Sequence, residues 1–145
     1  MPDLAELGFV RQPPEKIAAP GGLDIAFSVY EKTTEPRIGA RAEVRVYASE
    51  SAARQDYPTQ ALGWRNPPPQ VFGADLGNMT SPPLQSVPEA TAYRATRTDP
   101  SGNRIWTDIF RVGRVVVVSH VLARNEEDAA PVRAALAAAV LQAVE

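Results

Sequence analysis

The chain contains no cysteine. Disulfides, thiolate zinc sites and cysteine nucleophiles are therefore excluded. The absence assigns no compartment, because a domain of this length buries enough surface to stand without bridges. Histidine is nearly absent too, with His120 alone. A single imidazole without thiolates makes a poor zinc site, and a general base would need a nucleophile or an orienting acid within reach. Lysine is scarce: two Lys stand against thirteen Arg. That bias fits bidentate anion contacts, and it equally fits a genome whose composition also favours alanine. Net charge is only −2, so no basic field invites nucleic acid. No run approaches the ~18 apolar residues of a membrane span. The opening MPDLAELGFVRQPPEK lacks a basic n-region and an apolar h-region. The chain then reads as cytosolic or as a mature domain after signal removal, and the second, extracytoplasmic placement is preferred.

What is present is ordinary for one soluble domain spanning 1–145: 44% apolar and 22% charged residues. Leu4, Leu7 and Phe9 suggest one helical turn, and residues 16–23 a Gly/Pro loop. Residues 24–31 and 39–48 alternate apolar and polar side chains and predict two strands joined across TTEPRI. Ser49 reads as the N-cap of a short helix that ends at Pro58. Residues 91–98, 104–112 and 114–123 predict three further strands. A turn at 99–103 closes the first hairpin, and Val112-Gly113 closes the second. Asn125 or Asp128 caps the last helix, and Pro131 argues for Asp128 because proline suits the first turn. Val132, Leu136, Val140 and Val144 give that helix an apolar stripe, with Ala135, Ala139 and Ala143 beside it.

The expected order is ββα, a long loop, then βββα. This is an α+β domain: an antiparallel sheet of about five strands packed by a C-terminal helix. With Val112-Gly113 as a two-residue loop, Phe110 faces Val115 and Trp106 faces Ser119, and Arg94 pairs with Asp108 across the preceding hairpin. One face then carries Tyr93, Ile109, Val116 and Val118. The other carries Trp106, Phe110, Val115 and Val117, so the last strand is apolar on both sides and needs two covers. Ser119 and Asp108 fall on the face opposite His120, which predicts a hydrogen-bonded structural histidine, not a catalytic one.

Residues 63–90 hold six prolines together with Trp64, Val71, Phe72, Leu76, Met79, Leu84 and Val87. Disordered segments lack such apolar side chains, so this stretch is expected to be an ordered flap over a sheet face or edge. Trp64 and Arg65 are the residue types enriched at recognition hot spots. Phe72 to Gly77 carries two glycines but opens no helix after a strand, and a phosphate cradle is not expected there. The row Arg41, Arg45, Tyr47 suits either an anion or plain solvent, with Glu43 in its middle.

Two stretches, VRVYASESAARQDYP and DIFRVGRVVVVSHVLARNEEDAAPVRAALAAAVLQAV, resemble small bacterial extracytoplasmic domains of unknown function, often lipoprotein-anchored, with a PsbP-like α/β sandwich layout. The chain lacks their lipobox cysteine, and no catalytic residues carry over.

The expectation is a non-catalytic binding domain without cofactor or metal. Its candidate binding residues are Trp64, Arg65, Phe72, Trp106 and Phe110. A protein partner, a second copy of the chain or a small apolar ligand would occupy it. The alternative is an accessory subunit or homodimer joined through the Trp106/Phe110 face.

Overall fold

A computed structural model of the chain describes residues 9–11, 15–19, 23–32, 37–65 and 77–144. These form β1 (Phe9–Arg11), β2 (Glu15–Ala19), β3 (Leu23–Lys32), β4 (Gly39–Val46), α1 (Glu50–Gly63), β5 (Met79–Ser81), β6 (Glu89–Arg94), β7 (Arg104–Val112), β8 (Val115–Ala123) and α2 (Glu126–Val144). All strands belong to one antiparallel sheet of eight, in the order β1-β3-β4-β8-β7-β6-β5, with β2 also paired to β3. The α+β class is as expected, and the strand count is higher. The three extra strands are β1, β2 and β5. β1 and β2 lie along one edge of β3, against Tyr30–Lys32 and Leu23–Phe27 respectively. Phe9 is thus in a strand, not a helical turn, and residues 16–19 of the expected 16–23 loop are paired. Leu4 and Leu7 lie outside the described residues.

The β7–β8 turn is Gly113-Arg114, flanked by the pair Val112↔Val115. Gly113 alone has positive φ, 58°, which fits glycine at the first central position of a tight hairpin. The true register therefore sets Phe110 opposite Val117 and Trp106 opposite Val121. Across β6, Asp108 pairs with Ala92, not Arg94. Both expected registers are displaced by two residues. Because strand side chains repeat every two residues, the slip leaves every side chain on its expected face.

Each face has its own helical cover. On one, α2 sets Ala129, Val132, Leu136, Ala137 and Val140 over Ala40, Ala42, Trp106, Phe110, Val117 and Val121. Leu84 and Val87 complete that layer. Asn125 Oδ1 accepts from Asp128 N at 2.9 Å, so Asn125, not Asp128, caps α2. Pro131 then sits in the second turn. It is exposed, as is Glu127, whose carbonyl loses its helical donor, so water can serve that carbonyl.

On the other face α1 lies over β7 and β8. Ser49 caps it as expected, accepting from Ala52 N at 3.1 Å. The helix does not stop at Pro58 but runs to Gly63. Proline inside a helix costs ~3 kcal/mol. Here Pro58 and Arg54, the residue left without a donor, both face solvent, while Ala53, Tyr57 and Ala61 are buried on the sheet. Three tyrosines hold the helix down. Tyr47 Oη donates to the Asp56 carboxylate. Tyr57 Oη shares a hydrogen bond with Thr91 Oγ1 at 2.7 Å. Tyr93 Oη donates to Ala61 O at 2.9 Å and so satisfies an orphan carbonyl of the last turn. Burial and then the Asp56 contact push the Tyr47 hydroxyl up to about 12.

Candidate functional site

The extra turn of α1 past Pro58 carries Trp64 onto the sheet. Trp64 is half-buried and meets the His120 ring edge-on, with centroids 4.5 Å apart and planes at 61°. Asn78 Nδ2 donates to Trp64 O at 2.8 Å, tying the start of the proline-rich stretch to its return. Gly77, with φ 67°, permits that return, because a side chain there would collide with Thr96 Oγ1. From Gly77 onward the stretch is packed: β5 is zipped to β6, and Leu84 and Val87 lie against the α2 side. The described ends of the stretch thus lie toward opposite faces of the sheet, Trp64 beside His120 and Leu84 and Val87 on the α2 side. Phe72 and the other residues of 66–76 lie outside the described residues.

His120 is 3% exposed and shares a hydrogen bond with Thr107 through Nδ1, at 2.9 Å from Thr107 Oγ1. Burial first, and then the positive charge of Arg41 directly across the β4–β8 ladder, hold its imidazole down at about 3. The ring is neutral at any ordinary pH and acts as a hydrogen-bonding, stacking group. Ser119 and Asp108, paired across β7–β8, lie on the opposite face beneath α2. Among the described residues these three form no Ser-His-Asp arrangement.

The α1 face is covered over only part of its width. By register, Ile25, Val29, Gly39, Arg41, Glu43, Arg45, His120 and Leu122 share this face. Val29 is 37% exposed and Arg41 is exposed, while Leu122 is half-buried. Glu43 and Arg45 neutralise one another in a two-point contact, at 3.0 and 3.2 Å. Among the described residues Arg41 has no acidic partner, and Arg65, next to Trp64, is exposed.

Trp106 and Phe110 are not surface residues. They are 2% and 0% exposed under α2 of the same chain, so the second face is already filled. Sequence reasoning left that face open because it ended α1 at Pro58 and so counted one helical cover for two apolar faces. Of the expected site residues, Trp64 and Arg65 stand together at the margin of the α1 face. Arg41 and His120 join them through the β4–β8 register. The signal for that grouping was the row of alternate charged side chains on β4, which alone does not say what stands beside it.

No protein-family model and no curated protein matches the chain. Among solved structures it is similar to the extracellular domain of PknH from Mycobacterium tuberculosis. The TM-score is 0.59 over 85% of this chain and 82% of that one, at 10% sequence identity. The likeness is one of fold. No helix among the described residues is long and apolar enough to cross a membrane.

Proposed function

We propose that the chain is a non-catalytic binding domain whose site is the open part of the α1 face, with Trp64 at its rim. The observation that carries this reading is the unequal cover of the sheet. α2 fills one face, whereas α1 stops short of β3 and β4 and leaves Val29 and Arg41 exposed beside a half-buried tryptophan. Aromatic rims over a rigid sheet supply contact area at little entropic cost. The separation of His120 from Ser119 and Asp108 on opposite faces supports binding without chemistry. In this reading the proline-rich stretch supplies Trp64 and Arg65, and its return through β5 fixes their position. The fold shared with an extracellular domain supports an extracytoplasmic setting.

The test is a fragment screen on isotopically labelled protein. Backbone shifts that cluster at Val29, Arg41, Trp64, His120 and Leu122, and vanish in a folded Trp64→Ala variant, are the expected result. Hits that scatter or survive that substitution reject the site.

A further inference from the structure

We infer that this site selects an organic anion: a flat apolar group bearing a carboxylate, sulfonate or phosphate, with the ring against Trp64 and the charge on Arg41. The inference rests on the binding reading above and adds the ligand's charge. Arg41 projects from the same face as Trp64's neighbour His120, its exact partner across the ladder, and it is exposed. Of the acids that share this face by register, Glu43 is already held by Arg45 and Glu89 by Arg111, while Glu31 and Glu15 occupy the β3 position opposite Gly39 and the β2 position opposite Phe27. Arg65 adds a second exposed cation on the turn that carries Trp64.

The negative end of α1 does not oppose this. Its last carbonyls are engaged: Ala61 O by Tyr93, Leu62 O by the backbone of Trp64 and Arg65, and Trp64 O by Asn78. The floor beside Arg41 is apolar and low. Val29 is its direct partner on β3, and Gly39, opposite Leu122, contributes no side chain. A Cβ at Gly39 would stand 3.6 Å from that of Leu122, so the glycine leaves the leucine's flank uncovered. A guanidinium at the edge of such a floor can take an acidic group in two parallel hydrogen bonds while the ring stays on carbon. The neutral His120 adds no charge, and its ring fixes the tilt of Trp64.

Two fluorescent probes separate charge from shape: 8-anilinonaphthalene-1-sulfonate and its uncharged analogue N-phenyl-1-naphthylamine. The sulfonate is expected to bind the folded wild type more tightly, with weakening as salt rises. Arg41→Ala is expected to cost the sulfonate about 10-fold or more in affinity and leave the neutral probe unchanged. Val29→Ser, at an exposed strand position, is expected to weaken both. If both probes bind alike and Arg41→Ala changes neither, the charge preference is wrong while the site stands. If neither probe responds to Val29→Ser or to a folded Trp64→Ala, or neither binds, the site itself is wrong and the inference falls with it.

Discussion

Arg133 tests how dry the interior beneath α2 is. Its Nε and Nη2 donate to the two Asp108 carboxylate oxygens, each at 2.7 Å, and Nη2 also reaches Pro82 O at 3.4 Å. Asp108 is 1% exposed and Arg133 is 8% exposed. The pair joins the second turn of α2 to the middle of β7 and to the end of the proline-rich stretch. Removing one member of such a pair leaves the other charge buried and unpaired, which costs about 3–5 kcal/mol. Arg133→Met keeps the aliphatic length and deletes the charge. With a urea slope of about 2 kcal/mol/M for a domain of this size, the midpoint should fall by roughly 1.5–2.5 M. Replacing both, Asp108→Leu with Arg133→Met, removes both desolvation penalties. It should recover most of the loss or exceed the wild type. The assay is equilibrium urea unfolding followed by circular dichroism on the four proteins of the cycle. If Arg133→Met costs less than about 1 kcal/mol, water reaches the carboxylate and the argument from burial is refuted.

Three other outcomes are expected. Ser119 Oγ is buried beside that pair with no hydrogen-bond partner among the described residues, so Ser119→Ala should raise stability by about 1 kcal/mol, and a loss of similar size would reveal a missed partner. His120 should stay neutral: its single imidazole resonance should not titrate between pH 8 and 5, and it should begin to do so when Trp64→Ala lets water in. Because its folded value of about 3 lies below the ordinary 6.5, the unfolded chain binds the extra proton, and stability should fall as pH drops between those values. The slope should approach 1.4 kcal/mol per unit, and it should vanish in His120→Asn. Tyr93→Phe deletes the bond to Ala61 O and should cost about 1–2 kcal/mol in thermal or urea unfolding, whereas a neutral result would mean that water already serves that carbonyl.

The alternation in β4, β7 and β8 was legible because a period of two is insensitive to a two-residue register slip. That is why face assignments survived when the pairs themselves did not. Length and partners were less legible. EKIAA has no alternation worth reading, and it becomes a strand only because β3 offers a free edge. Pro58 was read as a stop because a local rule ignores Tyr47 just after β4, Tyr93 on β6 and the buried side of α1 itself, which together outweigh one missing hydrogen bond. Arg133 sits on the buried side of an alanine-rich helix, and nothing local marks it as different from the exposed arginines. Its partner is 25 residues upstream in another element. The candidate site was half legible: Trp64 and Arg65 by residue type, Arg41 only as one member of a row, and the meeting of Trp64 with His120 not at all, since it depends on the extra turn of α1.

The hydrogen bond from Asn78 to Trp64 O has a consequence for how this fold can vary. It brings together two points of the chain that bracket residues 66–76, and each point has an attachment of its own to the sheet. Trp64 is held by α1 and His120, and Gly77 leads directly into β5. Ends held this close set a low entropic cost on the length of chain that joins them. Doubling that length adds only about 0.6 kcal/mol of closure entropy. Sequence drift, or a designer, can therefore change the number of residues between Trp64 and Gly77 at little cost in closure entropy.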